Sequence, residues 1–542
     1  MKNILITSAS IAALAIAAPA FGQSVSTLDQ TGNANAATVS QAGENTSDID
    51  QTGNNNTATA NQSGSGNSST VDQDSLGAGA FVTQSGTDNT STIKQVDAST
   101  VNSIGLPSDP ESTVNQSGNN NTSGVDQNAV APGFNLVANV TQSVGDNSST
   151  VNQDALGPQF TGTLRTNVTQ RGSSDLILNQ TAMNPNSRDL HTTITQTDSD
   201  ATINQLATGV ASTQLNAIVT QQSGSTLTLN QTASGNQSGD LRALVTQSNG
   251  ATATINQTAA GTASVNQDAI LTQNGASTAN ITQTFNMPSS NNFLATVNQS
   301  GASNIANVTQ RDLTPGTLAN PDKDMVANVN QVGNSNVTDL VQENKANGAD
   351  IDQLGNGNIV DALQGGSGND LVALQTGTTN TSESTQSGNN NLADVLQAGV
   401  GATSTINQSG RNDLAFVDQL VGSDGSTSLI TQTGAGGDRS ENSATVTQSA
   451  AGNESEITQD GYNSTATLTQ SGGGNLSTIT QTGTVDGLGN TAEVTQSGSD
   501  NESTILQNGS LNTAEVIQSS NNNLSTISQT GNGGSVTVTQ GF

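Results

Sequence analysis

Glutamine recurs in this sequence with a step of 11 residues, and that step constrains the fold more than any other feature. Gln331, Gln342, Gln353, Gln364, Gln375, Gln386, Gln397, Gln408 and Gln419 keep it without a break, and it returns from Gln496 through Gln507, Gln518 and Gln529 to Gln540. The unit reads Gln-x-Gly-x-x-Asn-x-(Ala/Ser)-x-(Val/Ile/Leu)-x-Gln, as in Gln386-Ser-Gly388-Asn-Asn-Asn391-Leu-Ala393-Asp-Val395-Leu-Gln397. Gly and Asn in its first half tolerate positive φ and mark a turn. In its second half Ala393, Val395 and Gln397 are spaced by two, so they point to one face of a short, half-buried strand. Ile406 and Val417 repeat the part of Val395 in the next two units. Glycine at this density, in an 11-residue rhythm, excludes a helix. A flexible linker of the same composition would have no reason to hold an aliphatic residue two positions before each glutamine.

Between Gln127 and Gln310 long steps of 15 to 17 residues alternate strictly with short steps of 9 to 11. Two strands per rung put every long connection at one edge of a stack and every tight turn at the other, whereas three strands per rung would scatter them. In this frame Gln267 belongs to a loop, Ser103 stands in for glutamine, and the 13-residue step from Gln419 to Gln432 falls at the tight edge. Proline cannot donate to a β-ladder. Pro107, Pro110, Pro132, Pro158, Pro185, Pro288, Pro315 and Pro321 all fall inside over-long steps, which are therefore arcs leaving the stack. The expected fold is all-β: a two-strand-per-rung β-solenoid, a cross-β stack of 11-residue strand-turn units with 22–26 residues per rung, continuous over residues 23–542 with Pro-containing arcs at one edge. On the order of 21 rungs at a strand spacing of ~4.8 Å make a rod ~100 Å long.

Composition agrees with a thin interior. Hydrophobic residues are 31% of the 542 and aromatic residues 2%, against about 45–50% apolar in globular domains. Charged residues are only 10%, so this is not the highly charged composition of most disordered chains. The net charge of −32 argues against nucleic acid and anionic membrane as partners. With no cysteine and one histidine, disulfides, thiolate metal sites and Cys-His or paired-His chemistry are excluded. His191 sits among turn formers and reads as a loop residue, and no cofactor is expected. Residues 1–22 read as a secretory signal peptide, with Lys2 before an apolar run and small residues up to Gly22. No later stretch is apolar for the ~20 residues that span a bilayer, so no transmembrane segment is expected.

In-register strand pattern starts at Ser26-Thr27-Leu28-Asp29-Gln30 and ends at Val536-Thr537-Val538-Thr539-Gln540 without a visible cap. Leu28 and Gln30 at one end, and Val538 and Gln540 at the other, thus belong to exposed end strands that offer unpaired backbone to an identical subunit. Stacked Gln, Asn391, Val395, Ile406 and Val417 form the self-assembly ladder, as in cross-β fibres. The unit Gln51-Thr-Gly53-Asn-Asn-Asn56-Thr-Ala58-Thr-Ala-Asn-Gln62 is similar to half of the curlin repeat of bacterial curli fibre subunits. This resemblance implies a secreted, extracellular functional amyloid of the cell surface that serves biofilm matrix and adhesion. It also implies, as partners, the chain itself, an outer-membrane secretion pore and a nucleator or chaperone.

Three other readings compete. A monomeric, calcium-bound β-solenoid adhesin of the nonapeptide-repeat type is suggested by Gly365-Gly366-Ser367-Gly368-Asn369-Asp370-Leu371, one copy of a motif that needs several in a row. An ice-binding array is suggested by the Thr pairs Thr467 with Thr469 and Thr478 with Thr480, which Glu493 interrupts. An enzyme is the weakest reading, because carboxylates such as Asp29, Asp50 and Asp72 are scattered over turns and outward positions.

Overall fold

The computed structural model describes residues 23–97, 110–130, 136–156, 163–183, 189–211, 214–263, 265–286, 291–313, 324–434, 440–483 and 488–541. Residues 1–22, expected to be a signal peptide, and Ser103 and the prolines Pro107, Pro132, Pro158, Pro185, Pro288, Pro315 and Pro321 lie outside the described residues. Among the described residues all regular structure is β, from Val25–Thr31 to Ser535–Gln540. Within each unit strands pair in parallel with the strand two places further along the chain, and the register sets glutamine on glutamine: Gln30 on Gln51, Gln153 on Gln180, Gln375 on Gln397. Alternate strands therefore build two separate parallel sheets. This is the β-solenoid with two strands per rung that the alternating steps predict.

The chain forms two compact units, one of Met1–Thr272, Gln283–Asn291 and Gly316–Pro321, the other of Gln273–Thr282, Asn292–Pro315 and Asp322–Phe542. In each the period-two pattern sorts side chains by face. Strand Leu392–Gln397 buries Ala393, Val395 and Gln397 and leaves Leu392, Asp394 and Leu396 half-buried outside. Ile203 and Gln205 are buried in the same way in the first unit.

The tight turns use glycine in two ways. Residues four positions after glutamine, such as Gly357, Gly368 and Asn390, hold left-handed φ of 68, 71 and 54. Gly388 does not; it is glycine because a Cβ there would overlap the Gly410 carbonyl oxygen of the next rung. Pro110, the one described arc proline, lies just before strand Glu111–Asn119, where its carbonyl accepts the Gly79 amide at 2.8 Å.

Gln267 corrects one expectation: it lies in strand Val265–Asn274 and is fully buried. The reason is a second ladder. Leu136, Leu164, Leu190, Leu215 and Leu241 return from the arcs into the first unit and pack with Ala129, Ala155, Ala182, Ala207, Ala233 and Ala259 in one buried cluster. The Gln267 amide bonds the Asp240 carbonyl at 3.1 Å as the Leu215 amide bonds that of Asp189 at 3.2 Å, so Gln267 occupies a leucine position of this ladder. The described residues that flank the arcs thus carry a narrow core of their own.

Candidate functional site: the amide ladders and the end rungs

A buried primary amide must satisfy two donors and an acceptor, and stacking identical glutamines does so rung by rung. Gln331, Gln342, Gln353, Gln364, Gln375, Gln386, Gln397, Gln408 and Gln419 are all at most 1% exposed. The Gln375 Nε2 donates to the Gln397 Oε1 at 2.7 Å, and Gln397 donates to Gln419 at 2.8 Å. The same Gln397 Nε2 lies 2.9 Å from the Thr381 carbonyl in the other sheet and 3.2 Å from that of Ala402 in the following turn. Glutamine therefore links successive rungs, the two sheets and the turn at once. In the arc-bearing stack the Gln180, Gln205 and Gln231 amides also donate to the carbonyls of Leu190, Leu215 and Leu241.

Asparagine does similar work at the turn. The Asn391 amide N–H donates to the Asn369 Oδ1 at 3.0 Å, its Oδ1 accepts from the Asp413 amide at 2.9 Å, and its Nδ2 donates to the Gly410 carbonyl at 3.1 Å. Val395, Ile406 and Val417 are 0% exposed; Val395 stacks on Val417 in one sheet while Ile406 lies in the other. All the residues expected in the ladder are thus inward, in register and buried.

The segment Gly365–Leu371 is explained by the same turn chemistry. Its Asn369 Nδ2 donates to the Gly388 carbonyl at 2.9 Å, so the amide of the supposed calcium motif belongs to the turn ladder. Among the described residues no cluster of three or more His, Asp or Glu is placed to hold a metal ion. His191 stands before strand Thr192–Thr197, half-buried, and its carbonyl accepts from the Gln205 Nε2 at 3.0 Å.

The glutamine ladders have a direction. At the glutamine links, such as Gln41–Gln62, Gln51–Gln73, Gln507–Gln529 and Gln518–Gln540, Nε2 of the earlier rung donates to Oε1 of the later one. Among the described residues, strands Val25–Thr31 and Ala36–Ala42 pair on one side only, with Thr46–Asn54 and Thr57–Ser65. Strands Leu524–Thr530 and Ser535–Gln540 likewise pair, among the described residues, only with Glu502–Gly509 and Thr513–Gln518. Leu28, Gln30, Val538 and Gln540 are consequently only half-buried, where their counterparts inside the stacks are buried. The first rung presents glutamine oxygens outward and the last presents glutamine N–H groups.

Outward faces carry the charge. Asp29, Asp50 and Asp72 stack in one column. The Asp50 carboxyl is pushed above the ordinary range, first by burial and then by Asp29, Asp72, Asp48 and Asp74. Elsewhere the column is relieved, with Lys94 set between Asp72 and Asp126. Further on it becomes an amide ladder in which Asn152, Asn179, Asn204 and Asn230 each donate to the next asparagine, ending at Asn256, at 2.7–3.0 Å.

Sequence reasoning missed the arc leucines, although a signal exists. Each of Leu136, Leu164, Leu190, Leu215 and Leu241 stands six positions before a ladder glutamine, and each of the paired alanines two positions after one.

Among the described residues no helix is long and apolar enough to cross a membrane. A family model described as the curlin associated repeat matches the chain at residues 44–74, 487–519 and 512–541. No curated protein matches it.

Proposed function

We propose that this chain, which carries matches to the curlin associated repeat at residues 44–74, 487–519 and 512–541, is an extracellular structural protein that assembles head-to-tail into curli-like amyloid fibres for biofilm matrix and surface adhesion. The observation that carries this reading is the complementarity of the two end rungs. Placed in the frame used throughout the chain, strand Leu524–Thr530 of one copy continues into Val25–Thr31 of the next, with Ser525 on Ser26, Ile527 on Leu28 and Gln529 on Gln30. Ser535–Gln540 continues into the strand Ala36–Ala42, with Val536 on Ala37, Val538 on Val39 and Gln540 on Gln41. The step between the two glutamines is 11 residues in both rungs, so both strand pairs can form together. Donor N–H groups then meet acceptor oxygens, whereas a head-to-head joint would set oxygen against oxygen. Asp29 meets Ser528 and not another carboxylate.

The family reading adds export through an outer-membrane pore and nucleation by a second protein. Its structural role leaves no task for a catalytic residue. Fibre diffraction of the purified mature chain tests the function: a meridional reflection at ~4.8 Å is expected, and a protein that stays monomeric at high concentration contradicts it.

A further inference from the structure

Three consecutive strands of one sheet in the second unit, Asp370–Gln375, Leu392–Gln397 and Leu414–Gln419, present an outward face that differs from those of the strands on either side. The register stacks Asp370 on Leu392 and Leu414, Val372 on Asp394 and Phe416, and Leu374 on Leu396 and Asp418. The nine outward positions therefore form a grid in which Asp370, Asp394 and Asp418 lie on the diagonal and every other place is apolar. Leu414 is 38% exposed. The following strand, Ser443–Gln448, turns out only Ser443, Thr445 and Thr447, and strands further on in the sheet return to threonine and glutamate.

We propose that this grid is a lateral contact between copies of the chain, prevented while its three carboxylates are ionised and formed when they are neutralised. A face built from in-register parallel strands asks for an equally flat partner, and sheets pack face to face ~10 Å apart. The grid complements itself about a two-fold axis. With the axis along the strands, Asp370 faces the partner's Leu414, Asp418 faces the partner's Leu374, and Asp394 faces its own copy. With the axis along the stack, Asp370 faces Leu374, Asp418 faces Leu414, and Asp394 again meets itself. Either way six apolar side chains per copy are buried, and one carboxyl pair can share a proton. Ionised, the same contact would desolvate three unpaired charges per copy.

The environment of the acids agrees. Burial among the apolar neighbours raises the carboxyls of Asp370, Asp394 and Asp418 above the ordinary range, and Asp418 and Asp370 raise Asp394 further. On the preceding strand Gly348–Leu354, Asp350 and Asp352 add negative charge, and Asp350 is raised by burial and by Asp352 and Asp370. No cation lies among the outward residues of the grid or of Ser443–Gln448. One grid covers only ~300 Å² by strand dimensions, far below the ~800 Å² per partner of a standard interface. It becomes effective by repetition, once per subunit along a fibre, and in that respect it rests on the fibre reading.

The test compares the wild type with Asp370→Asn/Asp394→Asn/Asp418→Asn, with Leu392→Ser/Leu396→Ser, and with a control that removes the same charge elsewhere, Asp48→Asn/Asp50→Asn/Asp72→Asn. Electron microscopy reads fibre width, and sedimentation velocity reads monomer against dimer in chains that stay soluble. The expected result at pH 7 is single fibres for wild type and control but bundles for the grid triple variant, with wild type bundling only near the sequence pI of about 4.1. The leucine double variant should stay single at both. Absence of any fibre refutes the functional proposal and leaves the grid to the dimer readout. Bundling or dimerisation that is the same in the grid variant and the control, or that survives the leucine changes, overturns the grid. Saturable binding of a peptide of alternating Leu and Lys at pH 7, with no self-association of either aspartate variant, overturns it in favour of a basic partner.

Discussion

The arc-bearing stack of the first unit and the arc-free stack of the second use the same strand and fix its ends by different means. From Ser148–Ala155 to Thr252–Ala259 successive rungs lie 25 to 27 residues apart, as in Gln153–Gln180–Gln205–Gln231–Gln257. From Met325–Val332 to Leu414–Gln419 they lie 22 apart, as in Gln331–Gln353–Gln375–Gln397–Gln419. The glutamine ladder is unchanged. What changes is the edge. The second stack closes both edges with Gly-Asn turns, and Asn347, Asn369 and Asn391 reach the rungs on either side. The first closes one edge with leucine and alanine that flank the arcs, and its tight turns make do with Ser174, Ser199, Ser225 and Ala251 in the asparagine place. Strand plus glutamine is thus the constant element, and an amide ladder or an apolar ladder can complete it.

The strongest way to break that equivalence is to attack what both stacks share. Val395→Asp places an unpaired carboxylate in the thin layer between sheets, at a cost on the order of 4 kcal/mol. Asp394→Ala, one residue away and outward, should cost little or gain. Hydrogen exchange across strands 370–375, 392–397 and 414–419 reads both. Equal loss of protection in the two variants would mean that the facing is wrong.

A sharper test separates the edges. In the arc-bearing stack Leu215→Ala empties a fully buried site and should cost about 3 kcal/mol, while Ser225→Ala loses one bond, to the Gln222 carbonyl at 2.8 Å, for about 1 kcal/mol. In the arc-free stack Asn391→Ala strips a buried N–H of its acceptor and a carbonyl of its donor, for about 2 kcal/mol. Exchange protection localised to each turn measures the three. A Ser225 loss as large as that of Asn391 would erase the distinction between the edges.

The smallest effect concerns the one acid in the asparagine column. Asp413 is fully buried and still accepts the Asn442 amide at 2.9 Å. Burial raises its carboxyl, against hydrogen bonds from Ser440 and Asn442 that lower it. Between the ordinary Asp value of 3.8 and that raised value the folded state binds more protons than the unfolded one, so Asp413 lowers stability as pH rises through the window and has no effect below it. Asp413→Asn should therefore add about 1 kcal/mol at neutral pH and flatten this part of the acid dependence. Thermal melts from pH 4 to 7 read the slope, and an unchanged slope would show that the carboxyl is not desolvated.

These comparisons also mark what the sequence disclosed. The phase of Val395 against Gln397, the two-strand rung and the inward glutamines were legible because a strand has a strict period of two and an amide ladder needs identical residues in register. The arc leucines were not, because variable arc lengths hide a constant offset, and Gln267 was misplaced since it stands where leucine is the rule. Gly388 was readable as a turn residue but not as a point of contact between rungs. The aspartate diagonal escaped notice because outward positions vary freely in the 11-residue frame, and only stacking shows which of them become neighbours.

The central claim is that the last rung of one copy continues into the first rung of the next in this same register. The chain has no cysteine, so the joint can be tested without background. Copies carrying Thr27→Cys are mixed with copies carrying Thr526→Cys, residues that the frame sets side by side at a parallel-strand separation of ~4.8 Å, within disulfide reach. The account predicts rapid mixed Thr27→Cys to Thr526→Cys disulfides on assembly and few like-with-like ones. Fibres linked mainly through two Thr27→Cys or two Thr526→Cys copies would contradict it.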